Sequence, residues 1–458
     1  MNSSNLEQDG TSRARELIPK HWVILSHAFN MDGRAASQTI TDKVPYLCRQ
    51  GIQLNVISAV TGEKDRRFPH HRLLPWGPAG LRFDLRHWLA QGVGRGICYR
   101  IVTSLASVLL APFIIIERLI LGLSSQWSWS IPAALRGWRI VKSGSAQLVY
   151  STGGAWSAHL AGWWIKKFTD VIWIAEIHDP LIDSSQLSAY RESKVKRWLE
   201  RKICLDADLV WWFTEKALAR ARERNPQLGE KGFMVLAGAQ RPQVTAQHVY
   251  GDMLNIGYFG VLSSGRSMAP FLEALTDFCA QNQQARKTIR LHVYGSTLDR
   301  DSIHAVKELM LGDIVITHGR FEKDPVSGLS GRDQIAQQMH RCDALLLLHE
   351  SGPASAEYIP SKLYEYFLTG RPVFALTHDN PQLDALIRER GGYLCHTIDR
   401  QSIVQSMKQL WKDWKDKALP VRDLPPIDIE TTVATILREI ERVCSQHPPG
   451  SSKAATRL

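Results

Sequence analysis

Short apolar runs alternate with stretches of helical periodicity along most of the chain. This alternation of buried strands and helices is typical of a parallel α/β sheet. The first half of the sequence predicts strands at residues 21–29, 54–60, 146–152, 171–179 and 207–214. The second half predicts strands at residues 253–260, 288–295, 314–320, 342–350, 371–377 and 391–397.

A polar stretch without a clear period, residues 236–252, separates the two sets of strands. Ligands of such sheets bind beyond the carboxyl ends of the strands. The predicted fold class is therefore α/β, with two Rossmann-like domains facing a cleft. The predicted organisation is a flexible N-terminus (1–20), a first Rossmann-like domain (21–240), a linker (241–252), a second Rossmann-like domain (253–425), a C-terminal helix (426–445) and a disordered tail (446–458).

One segment, residues 101–123, is almost entirely apolar, but Pro112 interrupts it and Glu117 and Arg118 divide it. Its uninterrupted part is shorter than the ~20 residues of a membrane-spanning helix, so spanning is not favoured. Two interpretations stay open: a helix pair buried in the N-terminal domain, and an element that lies in a membrane interface. Neighbouring tryptophans favour the membrane, because indoles prefer the interface. They are Trp88, Trp127, Trp129 and Trp138.

Composition narrows the class of protein. A chain of 458 residues is too long for one ordinary core, and 44% hydrophobic with 22% charged residues is typical of a folded protein. The net charge of +11 indicates an anionic partner: nucleic acid, an anionic membrane or a phosphorylated substrate. Dispersed basic residues disfavour nucleic acid. The seven scattered cysteines and the polar N-terminus predict neither a zinc site nor a signal peptide, and hence a cytoplasmic protein.

The strongest candidate for chemistry is the segment IPSKLYEYFLTGRPV, residues 359–373. Ser361 is placed to cap a short helix, whose first turn carries Lys362. The start of a helix and a cation together suit a diphosphate. Glu365 shares a face with Lys362 and can accept two ribose hydroxyls, while Glu357 precedes the helix in the loop.

These residues carry a resemblance. The E-x7-E pattern followed by a glycine and RPV resembles the donor-site signature of retaining glycosyltransferases of the GT-B fold, family four, of the bacterial polysaccharide-building type. IGYFGVLSSGRSMAPFLEAL (256–275) is similar to that group's first C-domain strand, glycine–arginine loop and helix. Residues 148–180 resemble its N-domain stretch, so the similarity spans most of residues 20–420.

The resemblance implies transfer of a sugar, with retention, from a nucleoside-diphosphate sugar to a lipid-linked or saccharide acceptor in cell-envelope or exopolysaccharide biosynthesis. It implies a hexosyltransferase-type enzyme without metal or further cofactor, peripheral at the inner face of the plasma membrane. Arg266 and Lys362 would hold the phosphates, Glu365 the ribose, Glu357 the donor sugar and His178 a sugar hydroxyl or the reacting centre. Gly265, Ser361 and Arg320 complete the predicted donor side, and Gly33, Gly153 and Asp179 the acceptor side.

Two other classes of protein stay open. A nucleotide-sugar epimerase of similar fold would concentrate acidic and histidine residues at its base-abstracting site, and it would have no need of the apolar segment 101–123. A non-catalytic scaffold would have a degenerate site, whereas the donor-side residues named above are intact.

Overall fold

The structure is a computed structural model that describes residues 18–446 apart from residues 32, 95, 183–189, 264, 296 and 421–423. Most of the predicted N-terminus (1–20) and tail (446–458) lies outside the described residues. The chain divides into two compact units. The first domain consists of the chain up to Leu236 together with the chain from Glu430 onward, and the second domain is Ala237–Ile429.

The first domain is built on a sheet in which seven parallel strands are described, in the order β3-β2-β1-β4-β5-β6-β7. Its central strands are apolar on both faces, as a parallel sheet covered by helices requires; four residues of β1, from Trp22 to Leu25, are fully buried. The strands are β1 His21–Leu25, β2 Gln53–Ala59, β3 His70–Leu73, β4 Leu148–Gly153, β5 Ile172–Ile177, β6 Leu209–Trp212 and β7 Gly232–Met234.

Helices connect these strands, and the C-terminal helix of the chain belongs to the same domain. They are α1 Ala35–Thr41, α2 Val44–Arg49, α3 Pro78–Val93, α4 Ile97–Ile120, α5 Ser130–Lys142, α6 Trp156–Phe168, α7 Tyr190–Asp206, α8 Glu215–Arg224 and, at the C-terminus, α16 Ile429–Gln446.

The second domain has a sheet of six described parallel strands in the order β10-β9-β8-β11-β12-β13. The strands are β8 Leu254–Gly260, β9 Ile289–Gly295, β10 Val315–Gly319, β11 Ala344–Leu348, β12 Val373–Thr377 and β13 Tyr393–His396. The helices are α9 Ala269–Gln281, α10 Gln283–Thr288, α11 Arg300–Glu308, α12 Gly331–Arg341, α13 Lys362–Phe367, α14 Pro381–Glu389 and α15 Arg400–Lys415.

The strand predictions are confirmed, with ends shifted by up to four residues. Two short strands, β3 and β7, were not predicted. Near its start the second domain has a parallel bridge between Ala239 and Asp428, and Arg241 pairs with Asp428 at 2.9 Å. This bridge joins the two places where the chain enters and leaves the domain.

The apolar segment is one continuous helix, α4, that packs against α3 in an antiparallel hairpin. Of the two interpretations left open for residues 101–123, the helix pair buried in the N-terminal domain is wrong. Pro112 lies inside the helix without ending it, and only 11% of its most apolar 18-residue window is buried. By length and composition α4 is sufficient to cross a membrane.

A carboxyl group in the same hairpin gives a test of stability against pH. Asp84, in α3, is 1% exposed, and its Oδ2 has no hydrogen-bond partner in the described structure. Burial raises the pKa of Asp84 from 3.8 to about 7. The protonated carboxyl therefore stabilises the fold at low pH, and that stability is lost as the pH rises through about 7.

We expect Asp84→Asn to raise the free energy of unfolding at pH 8. This effect should exceed the effect of the same substitution at pH 5 by about 2–3 kcal/mol. Urea unfolding followed by tryptophan fluorescence at the two pH values measures the difference. Asp170→Asn, a substitution at an exposed position of the same domain, is the control. Equal effects of Asp84→Asn at both pH values would contradict the assignment.

Candidate functional site

The predicted glycine–arginine loop of the second domain lies against the chain that follows β11. Ser351 N donates to Gly265 O at 3.3 Å, and Arg266 Nη2 lies 3.8 Å from Glu350 Oε2. A Cβ on Gly265 would be 2.6 Å from Glu350 Oε1, so the position requires glycine unless the glutamate moves. Tyr358 OH donates to Glu350 Oε2 at 3.3 Å and also bonds Arg266. The arginine is therefore held at the carboxyl edge of the sheet.

The loop between β11 and α13 is held in place by hydrogen bonds from Asn380, the residue before α14. Asn380 Nδ2 donates to Ser355 O and to Tyr358 O, each at 2.9 Å. Glu357 ends a 3₁₀ turn in this loop and is 4% exposed. The His349 ring packs on Tyr358, and burial lowers the pKa of His349 to about 4, so it is neutral at pH 7.

Two predicted residues of helix α13, Lys362 and Glu365, form a cluster with an arginine of α12, Arg332, that was not predicted. Lys362 Nζ lies 2.6 Å from Glu365 Oε2, and Arg332 Nη2, from the first turn of α12, lies 3.5 Å from Glu365 Oε1. Burial alone would raise the pKa of Glu365, but Lys362 and Arg332 together hold it below its ordinary value. The carboxylate is therefore ionised at neutral pH between two cations.

The start of α13 differs from the prediction in one respect. Ser361 occupies the N-cap position, but its side chain makes no capping hydrogen bond. The helix is six residues long, so its dipole is weak, and the positive charge at this edge comes from side chains. Tyr366 OH accepts from Phe259 N at 3.1 Å and donates to Leu346 O at 3.3 Å, which ties α13 to β8 and β11.

Arg320 follows β10, the edge strand of the sheet, and is exposed. Among the described residues, no hydrogen bond or ion pair joins it to the Glu365 cluster. Its segment does lie close to α12: a Cβ on Gly331 would be 2.3 Å from Phe321 O. The backbone after Arg320 therefore packs on the helix that carries Arg332.

In the first domain, His178 follows β5 and belongs to a buried polar network centred on Glu176. His178 Nε2 lies 2.7 Å from Glu176 Oε1 and 3.1 Å from Thr152 Oγ1. Its side chain is 6% exposed. The ring is therefore oriented by Glu176 and Thr152. Within the described residues, the hydrogen bonds of this ring are made by Nε2.

Glu176 is fully buried and accepts from four further donors. Three of them are Tyr150 OH at 2.7 Å, Thr152 Oγ1 at 2.7 Å and Trp211 Nε1 at 3.0 Å. The fourth is Lys43 Nζ, whose side chain is 1% exposed. Burial would raise the pKa of Glu176, but the Lys43 ammonium and the His178 bond hold it well below its ordinary range.

The predicted acceptor-side residues follow β1, β4 and β5. Gly153 ends β4 with φ +114°, a conformation that favours glycine. A Cβ on the next residue, Gly154, would lie 3.4 Å from Asp179 Oδ2 and 3.9 Å from Ala36 Cβ. Gly33, with φ +68°, lies just before α1, the helix that contains Ala36. The first domain therefore gathers His178, Gly153 and Asp179 at one edge, with Gly33 at the adjoining loop.

A histidine–aspartate group that the sequence did not predict lies at the ends of β12 and β13. His378 Nε2 is 3.5 Å from Asp379 Oδ2, and His396 Nε2 is 3.7 Å from Asp379 Oδ1. The three ligand atoms lie within 4.8 Å of one another. Imidazole and carboxylate are ligands that zinc accepts, so these residues could hold a divalent cation.

The structure thus forms one cluster at Arg266 and Glu350 and one at Lys362, Glu365 and Arg332, both in the second domain. The loop of Glu357 connects them. Arg332 and Glu350 were missed because nothing in their local sequence marks them. Lys43 was missed as well, because its partner Glu176 lies 133 residues later in the sequence.

No protein-family model and no curated protein matches the sequence. Solved structures are similar in fold. Sucrose-phosphate synthase from Thermosynechococcus elongatus aligns with a TM-score of 0.56 at 13% identity, over 93% of this chain and 96% of that one. WaaG, a glycosyltransferase involved in lipopolysaccharide biosynthesis, aligns with a TM-score of 0.54 at 11% identity, over 91% and 99%.

A Listeria monocytogenes protein described as a UDP-N-acetylglucosamine 2-epimerase aligns equally well, with a TM-score of 0.54 at 11% identity, over 93% of this chain and 96% of that one. At such identities the similarity establishes the fold alone. The chain therefore has the fold of two Rossmann-like domains that these proteins share, which is the GT-B fold of glycosyltransferases.

Proposed function

We propose that this protein is a retaining glycosyltransferase of family four. It transfers a hexose from a nucleoside-diphosphate sugar to a lipid-linked or saccharide acceptor in bacterial cell-envelope or exopolysaccharide biosynthesis. It does so at the cytoplasmic side of the plasma membrane and without a metal ion. The observation that carries the proposal is the Glu365 carboxylate held between Lys362 and Arg332, with Arg266 on the neighbouring loop of the same sheet edge.

The charges of this edge suit a nucleoside diphosphate. Lys362 and Arg266 supply cations for the phosphates, and neither is buried, so both are open to a ligand from solvent. The ionised Glu365 is an acceptor for the two hydroxyls of a ribose. Backbone near Arg320 packs on α12, the helix that carries Arg332, and we assign the base to this backbone.

In the proposed reaction the bond between the anomeric carbon and the β-phosphate oxygen breaks, and the nucleoside diphosphate leaves. A new bond forms between that carbon and an acceptor oxygen on the same face, and the acceptor proton passes to the leaving phosphate. The protein lowers the barrier by stabilising negative charge on the leaving group with Lys362 and Arg266. Glu357 is assigned to a hydroxyl of the transferred sugar, and the role of His178 in the first domain stays the prediction made from the sequence resemblance.

A panel of nucleotide sugars tests the proposal. We expect one nucleoside-diphosphate sugar to raise the melting temperature and its diphosphate to be released in step with sugar transfer, with activity unchanged by EDTA. Proton NMR of the product should show the anomeric configuration of the donor. An inverted product would refute retention, and loss of activity in EDTA would refute metal independence.

The same panel separates the epimerase alternative. An epimerase converts the nucleotide sugar without an acceptor and releases no transferred product. Appearance of an epimer in acceptor-free reactions would therefore overturn the glycosyltransferase assignment. Failure of every nucleotide sugar to bind would support the non-catalytic scaffold instead.

A further inference from the structure

The α3–α4 hairpin, residues 78–120, differs from a water-soluble helix pair because the apolar side of α4 is exposed. In such a pair the apolar face packs inward and the polar face meets water. In α4 the apolar Ile114 is 6% exposed, but a polar residue also contacts α3: Ser107 Oγ accepts from Arg82 Nε at 3.2 Å and from Arg86 Nη2 at 3.1 Å. Thr103, one turn earlier, is 8% exposed.

The opposite face of α4 is apolar and open. Six residues that share one side of the helix are each at least half exposed. They are Ile101, Leu105, Val108, Leu109, Phe113 and Ile116. Trp88 on α3 is 48% exposed and Trp76, just before α3, is 62% exposed. A continuous apolar patch of this kind marks an interaction surface.

The charges of the hairpin identify the occupant. Both carboxylates are turned inward. Asp84 is buried, and Glu117 accepts from Ala79 N at 2.8 Å and from Trp127 Nε1 at 2.7 Å. In the described part of the hairpin every exposed charged side chain is an arginine: Arg86, Arg100 and Arg118. A second copy of this surface would oppose arginine with arginine, whereas anionic lipid headgroups complement it.

The geometry also decides between lying in the membrane and crossing it. Helix α4, with 24 residues, is about 36 Å long, enough for a ~30 Å hydrocarbon core. Its antiparallel partner α3 has 16 residues, about 24 Å, and carries Arg82, Asp84 and Arg86. Crossing would draw these charges into hydrocarbon together with α4. The C-terminal end of α4 is in addition held by Arg191 Nη1, which donates to Ile120 O at 2.6 Å.

We propose that the α3–α4 hairpin is a monotopic membrane anchor, which lies along an anionic bilayer surface with the apolar face of α4 in the interface. It does not span the bilayer. The arginines at its edges contact lipid phosphates. This inference rests on the hairpin alone and is independent of the glycosyltransferase proposal.

Flotation with vesicles tests the anchor. We expect the protein to bind vesicles of phosphatidylcholine with phosphatidylglycerol at least tenfold better than phosphatidylcholine alone, and salt to weaken that binding. Replacing Leu105, Leu109, Phe113 and Ile116 by glutamine should reduce binding to anionic vesicles by at least tenfold. The matched control replaces four exposed apolar residues of the second domain, Val261, Met310, Val326 and Ile398, and should bind as the parent does.

The remaining outcomes overturn the proposal. Unchanged vesicle binding of the α4 variant would place the membrane contact elsewhere. A lipid-free dimer in analytical ultracentrifugation that the α4 variant abolishes would make a second copy the occupant. Orientation is tested with Arg100→Cys in a Cys48→Ser, Cys98→Ser background. Modification by an impermeant maleimide added outside the vesicles supports the interface, and protection until the vesicles are lysed would show a spanning hairpin.

Discussion

Replacement of Glu176 by glutamine is expected to lower the free energy of unfolding of the first domain by about 3–5 kcal/mol. The carboxylate is fully buried and is the counter-charge of Lys43, whose side chain is 1% exposed. Glutamine keeps the shape of the side chain but leaves the ammonium in a site without a negative charge. It also presents an amide NH₂ where the carboxylate accepted hydrogen bonds from Tyr150 and Trp211.

A double-mutant cycle with Lys43→Met separates the ion pair from the loss of hydrogen bonds. We expect the double variant Lys43→Met, Glu176→Gln to be less destabilised than the sum of the two single variants, by about 1–3 kcal/mol. Urea unfolding is the measurement. If Glu176→Gln does not fold, recovery of folding in the double variant still reports the coupling. A single-variant cost below about 1 kcal/mol would show that the Lys43 charge is accommodated without its partner.

The sequence indicated His178 but not the residues of this network that orient its ring. In the sequence His178 lies at the end of a predicted strand (171–179), and in the structure it directly follows β5. The residues that orient it, Glu176 and Thr152, are brought together by the pairing of β4 with β5. Lys43 comes from the start of α2, and its local sequence, TDKVPY, gives no sign of a buried lysine. Pairings over such distances depend on the tertiary fold.

The strands show where the periodicity of the sequence is informative. A run such as ALLLL predicts a buried strand because every residue is apolar. Strand β3, HHRL, and strand β7, GFM, have neither length nor a pattern. They become strands because β2 and β6 present unpaired edges to them.

Helix α4 shows the opposite limit. Its composition predicted an apolar environment, but composition cannot tell protein from lipid. Only the exposed fractions of its side chains, together with the polar contacts of Ser107, show which face is covered. Arg332 illustrates the same point at the donor side, because its ion pair with Glu365 joins α12 to α13 across 33 residues of sequence.

Substitution of Lys362 by alanine is expected to reduce kcat/KM for sugar transfer by a factor of about 100–1,000, which corresponds to about 3–4 kcal/mol of transition-state stabilisation. Lys362 is the cation assigned to the leaving phosphates, whose charge grows as the bond to the sugar breaks. The loss should therefore fall mainly on kcat. Lys362→Arg keeps the charge and should retain much more of the activity.

Glu365→Gln is expected to act differently, because hydrogen bonds to the ribose form in the ground state as well as in the transition state. Its loss should raise KM for the donor more than it lowers kcat. Arg332→Ala should cause a smaller change in the same direction, since Arg332 acts through Glu365 and lies 3.5 Å from it. Initial rates over a range of donor concentrations measure both parameters.

The matched control is Arg442→Ala, which breaks an ion pair of the same spacing, Glu439 with Arg442 at 2.9 Å, in α16 of the first domain. It should leave kcat and KM unchanged. Melting temperatures close to that of the parent would show that losses in the Lys362 and Glu365 variants are not losses of fold. Undiminished turnover in both variants would show that the diphosphate does not bind at α13. A fall in KM with kcat for Glu365→Gln would assign that carboxylate to strain in the ground state, and the ribose assignment would then be wrong.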